Sequence, residues 1–149
     1  MLDSDISTYA QHPENQFYKP VTEQLKKLDP GQAVISVITL GELRYGIENA
    51  PFPEEILRAL NEFLTVVTTL SLPKTCAQIY ADTLGHLVKL SKERYNIPNL
   101  QIKDFKLRHN LNDIWIASHA IASNCMLITN NVKDFQDIPK LKFANWAKP

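Results

Sequence analysis

Four short apolar runs, separated by segments with a helical period, restrict this chain to a small set of folds. The runs are "ML" (1–2), "AVISV" (33–37), "CMLIT" (125–129) and, more weakly, "LKFAN" (141–145). Apolar runs that do not alternate with polar residues are typical of strands buried on both faces of a parallel sheet. Helical patterns lie at 20–28, 39–49, 53–67, 73–95 and 112–124. Strands alternating with helices predict an α/β fold with a central parallel sheet flanked by helices.

The length and composition fit one ordinary domain, 1–149. A chain of 149 residues buries about 70% of the surface that its unfolded form exposes. Apolar residues make up 44% and charged residues 21%, which is typical of globular proteins. No apolar run approaches the ~20 residues of a membrane span, and no basic segment precedes an apolar signal core. We therefore expect a soluble, cytoplasmic protein that does not contact membranes.

Carboxylates follow the predicted strands at the positions where parallel sheets bind ligands, the carboxyl ends of the strands. Asp3 and Asp5 follow "ML", and Glu42 lies in the helical segment after "AVISV". Asp113 begins the helix that leads into "CMLIT", and that strand is followed by Asn130 and Asn131. Carboxylate and amide oxygens without imidazole or thiolate suit a hard divalent cation, Mg²⁺ or Mn²⁺. The joint placement of these residues predicts a metal site.

Each residue taken alone also has a plainer interpretation. Asp113 could stabilise the start of its helix, with Asn112 as the cap. Asp3 could belong to a solvated terminus, and residues 130–131 could be turn residues that tolerate left-handed geometry. His119 lies in an alanine-rich helix and is expected to be packed and hydrogen-bonded, not a ligand.

The net charge is zero, but basic residues concentrate in one segment. Residues 89–109 hold six basic and two acidic side chains. This segment is either the solvated end of a helix with its loop, or a patch that contacts phosphates. The candidate RNA-binding residues within it are Lys92, Arg94, Lys103, Lys106 and Arg108.

Four blocks, in this order and spacing, resemble the PIN-domain ribonucleases, specifically the VapC-type toxins of toxin–antitoxin pairs. They are "MLDSDIS", "VISVITLGELRYG", "LNDIWIASHAIASNCMLITNNVKDF" and "LKFANW". The resemblance implies an α/β/α sandwich, Mg²⁺- or Mn²⁺-dependent endoribonuclease activity, frequent homodimers and inhibition by a cognate antitoxin. Several members of the family cut tRNA, including initiator tRNA, so the resemblance makes tRNA a possible substrate.

The resemblance also implies roles for individual residues. Asp3, Glu42 and Asp113 match the family's acidic residues and would hold the metal, directly or through water. The family's fourth acid falls on Asn131, which would make that position a weak or water-mediated ligand. The nearby Asp134 matches a position that we expect to be structural. The residues expected to support the ligands are Ser4, Asp5 and Thr129.

The chain departs from the family pattern at three points, and two rival functions compete with the ribonuclease. One departure is the first strand, which has only Met1 and Leu2 before Asp3 and is shorter than usual. The segment before "LND", residues 93–110, is longer than the family's usual link, which could alter contacts with RNA or antitoxin. That insertion and Asn131 are compatible with a degenerate PIN domain that binds RNA or protein without cutting. "DSDIS" also resembles the motif of haloacid-dehalogenase-like phosphatases, with Asp3 as nucleophile and Asp5 as acid/base. That class needs a longer preceding strand and a later lysine with paired acids, which this chain lacks.

Overall fold

A parallel sheet passes through the middle of the molecule, and residue Leu2 lies at its centre. The structure, a computed structural model, describes residues 1–106 and 110–148, except the side chains of Ile102 and Lys106. Its strands are β1 (Val34–Ser36), β2 (Thr68–Leu70), β3 (Leu127–Ile128) and β4 (Phe143–Ala144). β1 pairs with β2 and β3 pairs with β4, both in parallel. Leu2 bridges Ile35 and Ile128 in parallel, which gives the order β2-β1-Leu2-β3-β4.

Eight helices connect and cover the strands within the described part of the chain. They are α1 (Ser4–Tyr9), α2 (Tyr18–Leu25), α3 (Val37–Glu48), α4 (Pro53–Phe63), α5 (Cys76–Tyr95), α6 (Ile102–Lys106), α7 (Leu111–Ala122) and α8 (Val132–Phe135). No helix in residues 1–106 and 110–148 is long and apolar enough to cross a membrane.

Consecutive residues of the sheet face two separate cores, as the apolar strand patterns predict. Leu2 and Ile35 belong to one buried cluster, which also contains residues of α1, α2, α3 and α4. Val34 and Leu127 belong to the other, together with residues of α5 and α7. Each fully buried side chain of this size contributes about 1.5–3 kcal/mol of transfer free energy. The predicted α/β/α sandwich is therefore confirmed.

Two local predictions were wrong. The helix predicted over 53–67 ends at Phe63, and the chain then forms β2, which the sequence did not reveal. The apolar residues at 64, 66 and 67 continue the helical period, so the strand that follows them is hidden by the pattern. The cap of α7 is Asn110, whose side chain accepts a hydrogen bond from the Asn112 amide at 3.1 Å. The side chain of Asn112 is therefore not used as the cap and is available for another contact.

A buried histidine ties α7 to the start of α3. His119 is fully buried, and its Nδ1 lies 2.9 Å from the Ser36 hydroxyl. The same hydroxyl accepts from the Ile38 amide and caps α3. Burial lowers the pKa of His119, which favours the neutral ring. The expectation that His119 is packed and hydrogen-bonded is confirmed.

Candidate active site

Asp3 is buried directly after Leu2, the residue that bridges β1 and β3, and it caps the next helix. Its amide donates to the Ile128 carbonyl at 2.9 Å, so the backbone is held within the sheet. Its Oδ1 accepts from the Ser4 amide at 2.9 Å, at the start of α1. Its Oδ2 accepts from the Thr129 hydroxyl at 2.8 Å. With 5% of its surface exposed, Asp3 does not belong to a solvated terminus.

Glu42 reaches the same place from α3. Both of its carboxylate oxygens accept hydrogen bonds, Oε2 from the Ser4 hydroxyl and Oε1 from the Asn112 amide group at 2.8 Å. Ser4 belongs to α1 and Asn112 to α7, so Glu42 joins three helices. Its placement depends on the sharp turn from β1 into α3, where Ser36 ends the strand and caps the helix.

Asp113 approaches from the first turn of α7. Its Oδ1 accepts from the side-chain amide of Asn110 at 2.9 Å. Asp113 lines one cleft of about 500 Å³ together with Asp3 and Glu42. The other residues that line this cleft are Ser4, Asp5, Tyr45, Asn110, Asn112 and Asn131. The structure therefore brings together the three acids that were predicted as metal ligands.

Burial, together with neighbouring charges, raises the pKa of two of these acids. Burial, and then the charge of Asp5, raise the pKa of Asp3 to about 6, although the hydrogen bonds from Thr129 and Ser4 act in the opposite direction. Burial raises the pKa of Asp113 to about 7, with further contributions from the charges of Asp3 and Glu42. With such pKa values, ionising both carboxyl groups together is energetically unfavourable. A bound cation favours the ionised forms.

The donors in the cleft fit Mg²⁺ or Mn²⁺ on chemical grounds, since all of them are oxygens or amides. Across the described ranges, no three His, Cys, Asp or Glu side chains are grouped closely enough to hold one ion between them. Mg²⁺ does not require such a cage, because proteins usually hold it through one or two carboxylates while it keeps several waters. Asp3 and Asp113 would bind the ion, and Glu42 would act directly or through water.

The predicted supporting residues form a chain of hydrogen bonds below the acids. Asp5 accepts from the Asn130 amide at 2.9 Å, which fastens the start of α1 to the loop after β3. The Thr129 hydroxyl accepts from the Asn131 amide at 3.0 Å while donating to Asp3. The loop after β3 is thereby tied to the position of the Asp3 carboxylate.

Asp134 contributes more than the structural role expected from its position. It accepts from the Asn131 side chain at 2.6 Å. Its charge also helps to raise the pKa of Asp113. Asp134 thus holds the side chain of Asn131, which lines the cleft, although Asp134 itself is not among the residues that line it. Sequence spacing alone placed Asp134 three residues away and gave no sign of its effect on Asp113.

Sequence reasoning missed three other residues that line the cleft: Tyr45, Asn110 and Asn112. Tyr45 follows Glu42 by three residues, and that spacing places two helical residues on one face. This spacing was a usable signal. The two asparagines precede or begin α7, and only the backbone geometry decides which one caps the helix.

None of the predicted RNA-binding lysines and arginines that the structure describes lines the cleft. Lys92 and Arg94 lie in the last turn of α5, and Lys103 lies in α6. Arg94 pairs with Asp137 at 2.8 Å. The side chain of Lys106, and Arg108 as a whole, lie outside the described residues.

Comparison with known proteins agrees with this architecture. A family model described as PIN domain matches residues 1–141. Ribonuclease VapC2 from Rickettsia felis is 32% identical over 151 residues, which cover 99% of this chain and 98% of that protein. The tRNA(fMet)-specific endonuclease VapC from Shigella flexneri is 25% identical over 148 residues, covering 99% of this chain and 97% of that protein.

A solved structure extends the likeness to three dimensions. A chain in the crystal structure of VapBC2 from Rickettsia felis, which is bound to a DNA fragment from the VapBC2 promoter, matches this chain with a TM-score of 0.71. At 32% identity, the match covers 98% of this chain and 97% of that one. A family model that matches nearly the whole chain, and a relative of this identity and coverage, are sufficient to assign the family. The chain belongs to the PIN domain family.

Proposed function

We propose that this protein is a metal-dependent endoribonuclease and the toxin of a VapBC-type toxin–antitoxin pair. The observation that carries the proposal is the meeting of Asp3 and Asp113 in one cleft, where their pKa values rise to about 6 and about 7. The names of the full-length relatives, ribonuclease VapC2 among them, support the reaction class.

The proposed reaction is hydrolysis of an RNA phosphodiester. A bound Mg²⁺ or Mn²⁺ would supply an acidified water and offset negative charge on the phosphate. Asp3 and Asp113 would bind that ion, since both residues line the cleft. Thr129 keeps Asp3 oriented and favours its ionised form through the hydrogen bond to Oδ2. Ser4 and Asn112 orient Glu42 through hydrogen bonds to its two carboxylate oxygens.

The proposed substrate is RNA, with tRNA as the first candidate because of the relative from Shigella flexneri. Sequence-specific proteins read RNA mainly at loops and ends, where bases can leave the stack. We assign phosphate binding to Lys92, Arg94, Lys103, Lys106 and Arg108 as a proposal, and expect binding to weaken as salt rises. The complexes among the solved relatives support a cognate antitoxin as partner. A homodimer and a cytoplasmic location complete the proposal.

One experiment separates this function from its rivals. Labelled tRNA is incubated with the protein in Mn²⁺, in Mg²⁺ and with excess chelator. Internal cuts that require the metal support the proposal. Tight binding of the RNA without cuts would instead identify a binding module, and release of phosphate from a small ester would identify a phosphatase.

Thr129→Val should weaken metal binding by roughly 10–100-fold, the usual cost of losing a group that orients a metal ligand. The substitution keeps the shape of a fully buried side chain and removes the hydrogen bonds to Asp3 and from Asn131. Titration of Mn²⁺ against the cleavage rate measures the effect. Thr129→Ser keeps the hydroxyl and should stay near the original protein. Equal metal dependence of all three proteins would contradict the role assigned to Thr129.

A further inference from the structure

Tyr45 stands at the edge of the acidic cleft with its ring in solvent. It is 73% exposed, the largest fraction among the exposed large apolar side chains that the structure describes. It lies on α3, three residues after Glu42, and lines the same cleft as Asp3 and Asp113. Within the described part of the chain, its ring stacks on no other aromatic ring and its hydroxyl has no hydrogen-bond partner.

The turn of α3 that precedes Tyr45 is open at Gly41. A helical side chain leans back over the turn that precedes it. For Tyr45 that turn contains Gly41 and Glu42. A Cβ added at Gly41 would meet no atom within 4 Å, so the space there is open. Gly41 therefore presents no side chain to a group that approaches Tyr45 from this turn, and tyrosine offers such a group a large apolar face with a polar tip.

Charge restricts what that cover can be. Four of the nine residues that line the cleft are acids, and none of the nine is lysine or arginine. The described residues that line the cleft would therefore repel a phosphate, whereas a bound cation would attract it. A nucleobase is neutral and stacks on an aromatic ring without regard to that repulsion. Among the nine described residues that line the cleft, Tyr45 is the one with an aromatic ring.

We propose that Tyr45 is a stacking platform for an unpaired base next to the bond that is cut, an inference that rests on the proposed ribonuclease function. Stacking on tyrosine places the nucleotide while the metal and the acids act on its phosphate. Because every base has a flat face, this contact selects unpaired over paired RNA and discriminates weakly among sequences. The ligand class is thus a single-stranded or looped RNA segment.

The test compares Tyr45→Ala with Tyr45→Phe and Tyr45→Trp in cleavage of an RNA stem-loop with Mn²⁺. Tyr45→Ala should raise KM about tenfold, the usual loss when one stacking residue is truncated. Tyr45→Phe and Tyr45→Trp keep a ring and should restore the original KM. Phe52→Ala removes another exposed aromatic side chain, 66% exposed and outside the cleft lining, and should change nothing.

Two further measurements make the test specific to base stacking. A 2-aminopurine in the loop should lose fluorescence when it binds the original protein and keep it with Tyr45→Ala. A stem-loop with abasic sites in the loop should be cut equally by both proteins. A tenfold difference that persists on the abasic RNA, or a change only in the sedimenting mass of the protein, would overturn the inference.

The result also separates this inference from the proposed function. If the original protein cuts the RNA and Tyr45→Ala cuts it with the same KM, the stacking role is wrong and the ribonuclease stands. If the original protein neither cuts the RNA nor quenches 2-aminopurine, both are wrong.

Discussion

Asp3→Asn should lower metal-dependent cleavage by at least about 100-fold, since even the loss of a supporting group costs a metal site 10–100-fold. The substitution removes a negative charge from a carboxyl that faces the cleft and is 5% exposed. Asparagine caps a helix as well as aspartate does, so the bond from the Ser4 amide survives. The cleavage rate with Mn²⁺, measured beside the melting temperature, separates lost chemistry from lost fold.

Asp5→Asn is the matched control, because Asp5 lies two residues away in the helix that Asp3 caps. Asp5 accepts from the amides of Ile6 and Asn130, one on each carboxylate oxygen. Asparagine offers one acceptor oxygen, so one amide loses its partner at a cost of about 1 kcal/mol. We expect a lower melting temperature with most of the activity retained. If Asp5→Asn lost as much activity as Asp3→Asn, the separation of roles between the two aspartates would be wrong.

Asp113→Asn should abolish cleavage and, without metal, raise the melting temperature at pH 7.5. The pKa of Asp113 is raised from 3.8 to about 7, so its neutral form suits the folded state. Its contribution to stability is full below pH 4 and is lost as the pH rises through 7. Discounting for its partial exposure, the gain on substitution at pH 7.5 is about 1 kcal/mol, or roughly 2–4 °C.

Thermal unfolding from pH 4 to pH 8, with and without Mg²⁺, checks this prediction. The difference between Asp113→Asn and the original protein should vanish near pH 4. Mg²⁺ should stabilise the original protein more, because a ligand stabilises only the state that it binds. Asp82→Asn removes an exposed charge outside the cleft lining and should follow the original protein. A melting temperature lowered without metal, together with an unchanged Mg²⁺ effect, would make Asp113 a helix cap.

The sequence predicted the features that depend on local pattern. Unbroken apolar runs predicted strands buried on both faces, and the two clusters on either side of the sheet confirm this. The order of elements placed Asp3, Glu42 and Asp113 at one edge, and they line one cleft. Their role as metal ligands stays a prediction.

Features that depend on contacts between residues distant in the sequence could not be predicted from local pattern. β2 has only three residues, and their sequence pattern does not distinguish them from a continuation of α4. Pairing with β1, which is distant in the sequence, is what defines this strand. The charge of Asp134 acts on Asp113 only because α7 and α8 pack together. The choice of Asn110 over Asn112 as cap depended on backbone angles that the letters do not contain.

The placement of Leu2 between β1 and β3 has a consequence for the order of folding. The contacts that hold Asp3, from Ile128 and Thr129, join residues about 126 positions apart in the chain. Contacts of such separation form late, after much loop entropy has been lost. A nascent chain on the ribosome therefore has no complete cleft until Asn131, which also lines it, has emerged, and we expect no cleavage of RNA by the chain before that point.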